Sequence, residues 1–435
     1  MSNTANVNLH EINKLYVLCF FIIGILFLYA PFFVYPFCTI ILICGVKDFS
    51  AITVIYMLAI FGISINVASF TQFTYHQADF TTYYNNYLTF VENGIQGDFF
   101  TFFGGIELLF PVINYLISII VGEKLPYLYI MIHNLIQCTI LFFVVHCFAK
   151  RYNLTLIEFS ILLGMVLIFY KYLGMLNHMR QSYASLFILW GVFTRNNKSK
   201  IILLIVAAFF HVSSFIIYPI INFVFNNKSK RIKLKFIVGS IVLSLLIVIV
   251  YSSIKTFIYS FYTSNILVEK LLFGFQYDFI KDGSYLVSLF VANVKSNIYL
   301  ILIGLILFFL NIVKESNEAK LIFINILCII IPTLSFFYIA STVNRLFESI
   351  TVVGVGFICF LCFRYVSKLF RIVSIAIFLS LVFRWVFFDA QIYNRIDLVG
   401  TKPFYYVPLL FTEQEKVERF WLPSLEDIDV KNNRW

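Results

Sequence analysis

Long apolar runs alternate with short polar connections from one end of the chain to the other. Most runs reach about twenty residues, the length that an α-helix needs to cross a bilayer. A membrane β-barrel would instead show short segments of alternating hydrophobicity. The first run is too long for a signal peptide and lacks a small-residue cleavage site, so we expect it to stay on the protein. The pattern predicts an all-α polytopic membrane protein with about 10–12 transmembrane segments, some of them short or re-entrant.

Composition supports this fold class, and the distribution of basic residues explains the positive net charge. Of 435 residues, 61% are hydrophobic and 12% are charged, whereas soluble domains carry about a quarter charged residues. The net charge is +10, and the basic residues cluster in short connections at 195–200, 226–235 and 363–371. This is the positive-inside pattern, so the charge reports topology and no nucleic-acid partner is expected. All eight cysteines lie inside apolar runs, which indicates packing.

Counting outwards from the basic connections, taken as cytoplasmic, gives a topology for a single integral membrane domain, 1–435. The count places two loops, 71–106 and 254–295, and the tail 389–435 on the outer face. Arg180 and Arg345 both reach that face, although the count did not assume it. The segments used for this part of the count are 155–172, 180–194, 236–253, 296–313, 321–340, 346–363 and 372–388.

Three stretches do not fit a simple count. Residues 201–225 lie between two basic connections but are long enough for only one crossing, so we expect two short helices in a re-entrant hairpin, with His211 near the turn. Residues 107–121 are expected to form a helix that dips in from the outer face. The run 15–46 contains two prolines, Pro31 and Pro36, and is compatible with one long helix or a tight pair of helices.

The two arginines that reach the outer face share one arrangement. Each is followed by ten residues and then a glycine, Gly191 after Arg180 and Gly356 after Arg345. Ten intervening residues place the glycine about three turns down the same helix, where it permits close packing. Arginine presents a planar fork to phosphate, so a pair of arginines suits a diphosphate. The alternative is that each arginine extends its charge to the lipid headgroups.

Candidate proton acceptors lie in the same outer region. His211 is flanked by Ser213 and Ser214, and it is either a base or anion contact or a buried neutral histidine. Asp79 and Glu107 are candidates for activating a hydroxyl, the alternative being solvated loop acids. Secondary contacts are expected from residues beside the arginines and in or at the end of the first outer loop: His178, Gln181, Asn344, Tyr83 and Glu107. The tyrosines of that loop, at 75, 83, 84 and 87, suit interfacial anchoring or stacking on sugar rings.

Motifs of several other enzyme classes do not occur in the sequence. It contains no Walker loop, no HExxH, no Rossmann glycines and no DxD-like pair in an outer loop. This argues against ATP use, a zinc peptidase and a metal-dependent transferase. We therefore expect neither a metal nor an organic cofactor.

Several of these residues also occur in motifs of a known family. The stretch LNHMRQSYASLFILWGVF, followed by KIILLIVAAFFHVSSFIIYP, resembles the EpsG-like branch of the Wzy-type polysaccharide polymerases. The resemblance covers roughly 75–365. Where that family often has an arginine before the aspartate of the first loop, this chain has His76. The matching positions are Arg180, Gln181, Ala184, Phe210, His211, Ser213, Asp79, Tyr83, Tyr84, Asn344 and Arg345.

The resemblance implies a bacterial inner-membrane glycosyltransferase whose site faces the periplasm, with a fold of the large lipid-dependent (GT-C-like) type. It would join undecaprenyl-diphosphate-linked oligosaccharides into O-antigen or a related surface polysaccharide, without a metal. Arg180 and Arg345 would stabilise the diphosphate leaving group, and His211 or Asp79 would take the acceptor proton. Membrane lipids and a polysaccharide chain-length regulator are candidate partners. The alternatives are an O-antigen ligase and a flippase or transporter of the lipid-linked unit.

Overall fold

The described part of the chain consists mostly of α-helices joined by short connections. The computed structural model describes residues 18, 21–26, 31–68, 79–100, 102, 107–122, 126–172, 176, 178–260, 283–309, 316–337, 347 and 349–365. Its helices are α1 (Pro31–Cys44), α2 (Phe49–Ala68), α3 (Asp79–Asn93), α4 (Leu109–Val121), α5 (Pro126–Tyr152), α6 (Leu156–Phe169), α7 (Met179–Phe193), α8 (Asn197–Phe210), α9 (Ser214–Asn226), α10 (Lys230–Ser260), α11 (Gly283–Phe309), α12 (Asn317–Ser335) and α13 (Val355–Tyr365). A π-helical segment, Ser349–Gly354, leads directly into α13.

Helix length and hydropathy confirm the fold class, an all-α polytopic membrane protein. Within the described ranges, three helical stretches are long and apolar enough to span a membrane: Leu128–Tyr152, Lys230–Ile249 and Asn317–Ser335. The described part also contains seven shorter apolar helical stretches. The central helix α7 packs against α5, α8, α9 and the π-helical segment, and α6 packs between α1 and α13.

The observed helices test the three irregular stretches. Residues 201–225 form two short helices, α8 and α9, which confirms the predicted hairpin with His211 at its turn. The stretch 107–121 contains the 13-residue helix α4. The connection inside 15–46 lies outside the described residues, so that question stays open.

The predicted outer stretches contain more helix than the hydropathy pattern indicated. Helix α3 occupies much of the first outer loop, 71–106, and residues 254–295 include the end of α10 and the start of α11. These parts carry too many polar residues to register as apolar runs, although their backbone is helical. The segment 372–388 and the tail 389–435 lie outside the described residues.

Basic side chains cap the ends of several helices at one end of the bundle. Arg151 Nη1 donates to Val192 O, at the end of α7, over 2.8 Å. Arg195 Nη2 donates to the carbonyls of Lys150 and Arg151, and Arg364 Nη1 donates to Tyr152 O, all at the end of α5. These carbonyls have no partner within their own helix, and a cation there also faces the negative end of the helix dipole. We call this the basic end.

Arg180 and His211 lie at the opposite end. Arg180 is the second residue of α7, whose last turn is capped at the basic end, and His211 follows the last residue of α8, which starts there. Helix α7 has 15 residues and is therefore about 22 Å long. We call the end that carries Arg180 and His211 the site end.

The segment that follows position 345 runs parallel to α7. Ser185 Oγ lies 3.0 Å from Ser349 Oγ, at an offset of 164 residues. Eight residues further along both segments, the rings of Phe193 and Phe357 lie 5.1 Å apart at the same offset. Equal advance on both segments means that they run in the same direction and in register.

The glycines of the two repeated motifs do not pack alike. A Cβ on Gly356 would meet backbone atoms of α6, at 2.5 Å from Val166 Cα and 2.9 Å from Met165 O. A Cβ on Gly191 would meet first a ring atom of Tyr218, at 3.3 Å. Close backbone packing therefore occurs at Gly356, whereas Gly191 faces side chains that can adjust.

Lys233 is a buried cation near the basic end of α10. Its Nζ donates to Val224 O at the end of α9, over 2.7 Å, and to Asn325 Oδ1 of α12. The lysine is wholly buried and Asn325 is nearly so. The ammonium group therefore joins three helices through one set of hydrogen bonds.

We expect Lys233→Met to destabilise the bundle. The substitution leaves the Val224 carbonyl and the Asn325 amide oxygen without this donor, and an unsatisfied buried group costs about 1–3 kcal/mol. Thermal unfolding in a fixed detergent measures the effect. Lys235→Met, at an exposed position on the same helix, is the matched control. Equal melting temperatures for the two variants would contradict the assigned role of Lys233.

Candidate functional site

A buried carboxylate lies at the centre of the site end. Arg180 Nη1 donates to Glu107 Oε2, and His211 Nδ1 lies 2.8 Å from Glu107 Oε1. The backbone N–H of Val212 also points at Oε1, at 3.4 Å. The site therefore joins three parts of the chain that are up to 105 residues apart.

Local structure fixes where the three groups lie. Glu107 precedes α4 by two residues, and Arg180 lies in the first turn of α7. His211 leaves the helical conformation, with φ −158° and ψ 113°, while its N–H still bonds to Ala207 O. Ser214 Oγ then donates to the His211 carbonyl over 2.7 Å, which closes the turn between α8 and α9.

The three side chains differ in exposure. The Glu107 side chain is 1% exposed, whereas those of Arg180 and His211 are 12% and 18% exposed. The solvated-loop alternative is therefore wrong for Glu107. The carboxylate lies behind the two other groups, which leaves the arginine and the histidine to meet a ligand. Such a pair can bind an anion and accept a proton at adjacent points.

Two aromatic rings also lie close to the guanidinium group of Arg180. The Arg180 Cζ atom lies 5.6 Å from the ring centre of Tyr83 and 5.8 Å from that of Phe102, distances at which a cation is attracted to a ring face. Tyr83 also packs on Phe110, the second residue of α4. These contacts restrict the position of the arginine in addition to its ion pair.

The burial of the loop tyrosines corrects one expectation. Tyr83, Tyr84 and Tyr87 are at most 2% exposed, so their rings neither anchor at an interface nor lie open to a sugar. The reason is that α3 packs its aromatic face against α4 and α5, where Tyr84 and Tyr87 meet Tyr129. Tyr83, expected to contact substrate, instead contacts Arg180. Tyr75 lies outside the described residues.

A buried polar network behind the site did not emerge from the sequence. His133 Nδ1 lies 2.9 Å from Tyr183 Oη and His133 Nε2 lies 3.2 Å from Asn114 Oδ1. Asn114 Nδ2 donates to Asn86 Oδ1 over 2.8 Å. The Tyr183 ring stacks on Phe210, the neighbour of His211. A histidine inside a candidate membrane span was the available signal, since polar groups are costly there.

The remaining predicted residues are only partly placed. His178 immediately precedes α7, and the buried Gln181 follows Arg180 in its first turn. Asp79 is the first residue of α3, and its side chain lies outside the described part. Arg345 and Asn344 also fall outside it. Among the described residues, no group of three or more histidines, cysteines and carboxylates could hold a metal ion.

Comparison with known proteins gives one match. The model of a family described as the EpsG family matches residues 54–397, which include α3 to α13 and all three members of the Glu107 cluster. No curated protein and no solved structure matches the chain significantly. The likeness to GT-C enzymes therefore remains a prediction.

Proposed function

Because the chain belongs to the EpsG family and is thus a membrane protein of the polysaccharide-polymerase type, we propose that it polymerises oligosaccharide repeat units carried on a polyprenyl diphosphate. The donor would be a growing chain linked to its lipid through a glycosyl diphosphate. The acceptor would be a hydroxyl of a second lipid-linked unit. Undecaprenyl diphosphate is the proposed carrier, and O-antigen or a related surface polysaccharide is the proposed product.

The observation that carries the proposal is the pairing of Arg180 and His211 on Glu107. A glycosyl transfer of this kind must place negative charge on a leaving diphosphate and remove a proton from an attacking hydroxyl. Arg180 is a fixed, partly exposed cation that can stabilise the charge on the diphosphate. His211 has a partly exposed imidazole that can accept the proton of the hydroxyl. Both reach outward from one buried carboxylate.

The bond changes balance with these two groups alone. The acceptor hydroxyl gives its proton to His211, and its oxygen forms a bond to the anomeric carbon of the donor. The bond between that carbon and the diphosphate oxygen breaks, and its electron pair leaves with the lipid diphosphate. Arg180 holds the charge that develops there. Asp79, at the start of α3, is the second candidate for the base.

A sequence repeat supports a place for Arg345 in the same site. Arg345, like Arg180, is followed by ten residues and then a glycine. We therefore propose that Arg180 and Arg345 share the diphosphate. His178, Gln181 and Asn344 are the proposed secondary contacts.

The distribution of charge supports an orientation. Basic residues in short connections mark the cytoplasmic side of a membrane protein. The basic end, with Arg151, Arg195 and Arg364, would then face the cytoplasm. The site end would face the periplasm of a bacterial inner membrane, where lipid-linked repeat units are polymerised. Surrounding lipid and apolar helix faces would hold the polyprenyl tails.

The test is the glycolipid profile of a deletion strain, complemented with wild type, Arg180→Ala or Arg345→Ala. We expect surface lipid capped with a single repeat unit in the deletion strain. A ladder of polymer should return only with wild type. Loss of every repeat unit from the cell surface would point to a ligase or a flippase, and an unchanged ladder would contradict a role in polymerisation.

A further inference from the structure

The contact between Glu107 and His211 determines which nitrogen of the imidazole can act. An ionised carboxylate only accepts hydrogen bonds, so the nitrogen that faces it must carry the proton. That nitrogen is Nδ1, 2.8 Å from Glu107 Oε1. In the neutral ring the lone pair is then on Nε2, on the side of the ring away from Glu107.

We infer that Glu107 is a positioning residue that sets the tautomer of His211 and makes Nε2 the proton acceptor. The catalytic role of Glu107 rests on the proposed function. The assignment of the His211 tautomer rests on the geometry of the site alone. It reassigns Glu107, which the sequence suggested as a base or substrate contact. With its carboxylate 1% exposed and both oxygens engaged by protein groups, Glu107 acts through its neighbours.

The surroundings of His211 make the orientation of its ring well defined. Its N–H bonds to Ala207 O over 2.9 Å, and its carbonyl accepts from Ser214 Oγ over 2.7 Å. These bonds fix the backbone on both sides of the residue. With the backbone fixed and Nδ1 held by the carboxylate, little rotation of the ring remains. A base held in one orientation stays aligned with the acceptor hydroxyl, whereas a freely rotating imidazole would not.

The same carboxylate also balances charge during the proposed reaction. When Nε2 accepts a proton, the imidazolium faces Glu107, which stabilises it as a buried counter-charge. Arg180 faces the other oxygen of that carboxylate. In the proposed reaction its partly exposed guanidinium group would meet the leaving group. Among the described residues, the titratable groups near this cluster include Tyr83, under Arg180, and Tyr183, which stacks on Phe210 and meets His133. Glu107 is an acidic group in direct contact with His211.

The tautomer can be measured without any assay of activity. We propose nitrogen NMR of the full-length protein in lipid, labelled at histidine, at about pH 8, where an ordinary imidazole is neutral. The His211 signal is assigned by its absence in His211→Ala. We expect a proton on Nδ1 and an unprotonated Nε2 in wild type, and loss of this preference in Glu107→Ala. A proton on Nε2 in wild type, or the same tautomer in both proteins, would overturn the inference.

Activity of the reconstituted protein tests the catalytic half, with lipid-linked repeat units as substrate. We expect Glu107→Gln to lower kcat by about 10²-fold, within the range that general base catalysis contributes, with little change in KM. Glu107→Asp should recover part of the loss. The acidic limb of the rate profile should move to lower pH in Glu107→Gln, because the imidazolium loses its counter-charge.

Two comparisons separate positioning from a merely structural effect. Adding Glu107→Gln to His211→Ala should lower the rate by a smaller factor than it does in wild type, because groups that act as a unit are not additive. The loss that remains reports the contact of Glu107 with Arg180. Glu158→Gln alters a carboxylate that pairs with Arg364 at the basic end and should leave kcat unchanged. Full activity of Glu107→Gln would overturn the positioning role. If the expected tautomer were found but wild type made no polymer, the proposed function would fail and the tautomer assignment would stand.

Discussion

Replacing Arg180 by alanine is expected to remove polymer formation, with a loss of at least about 10²-fold in rate. Preorganised groups that stabilise the charge of a leaving group contribute about this much each. Arg180 is held for such a role by Glu107 and by the Tyr83 and Phe102 rings. Arg180→Lys should recover little, because an ammonium group lacks the planar fork that holds both a carboxylate and a phosphate. Rates of the reconstituted variants, normalised to folded protein, measure the effect.

Two controls address loss of folding. Removing Arg180 alone leaves a buried carboxylate without its arginine, which costs about 3–5 kcal/mol. The double variant Arg180→Met/Glu107→Gln avoids that charge and should unfold at close to the wild-type temperature while remaining inactive. Arg364→Lys makes the same conservative change in an arginine paired with Glu158 at the basic end. It should keep its activity, and an active double variant would contradict the role given to Arg180.

Gly356→Ala is expected to produce the largest loss of stability of any single methyl addition among the described glycines. The added Cβ would lie within 2.9 Å of the Val166 amide nitrogen and the Met165 oxygen, which are backbone atoms. Helix α6 cannot easily retreat, because it packs closely on α1 at Gly164, where an added Cβ would lie 3.1 Å from the backbone atoms Ile43 N and Thr39 O. We expect a loss of about 3 kcal/mol or more, the upper range for overpacking.

Thermal unfolding in detergent tests this expectation against two other glycines. Gly239→Ala, in α10, adds a Cβ that meets nothing within 4 Å. It should be neutral or stabilising by about 0.5–1 kcal/mol, because alanine favours helix more than glycine does. Gly191→Ala should fall between the two, since the Tyr218 ring can move. Equal melting temperatures for Gly356→Ala and Gly239→Ala would show that α6 and α13 are not packed as closely as described.

The shared location of Arg180 and His211 could be predicted from sequence because crossings alternate in direction. The basic connections at 195–200 and 226–235 leave room for only one turn between them, so His211 had to lie at the end of the bundle that carries Arg180. The structure places both side chains on one carboxylate. The short helices α8 and α9 follow from the same argument, since each has too few residues for a complete crossing.

The role of Glu107 could not be deduced in this way. Its position before an apolar helix is equally compatible with a solvated acid, and only the packing of α4 against α8 brings it to His211. The tyrosines of α3 were misjudged for a related reason. An aromatic residue near an interface is compatible with membrane anchoring, sugar stacking or core packing. Tyr83 was expected to contact substrate because of its neighbours along the chain, whereas its neighbours in space are Phe110 and Arg180.

The caps at the basic end make the folding of neighbouring helices depend on the direction in which each hairpin is inserted. Arg195, between α7 and α8, binds carbonyls at the end of α5, and Arg151, at the end of α5, binds a carbonyl of α7. A hairpin inserted in the inverted direction would carry its arginine to the opposite end of the bundle and leave those carbonyls without their donors. Errors of insertion would thus appear as incompletely folded bundles, which cellular proteases could distinguish from the correct one. The arginines that favour one direction of insertion would thus also stabilise the neighbouring helices, and only when that direction is the correct one.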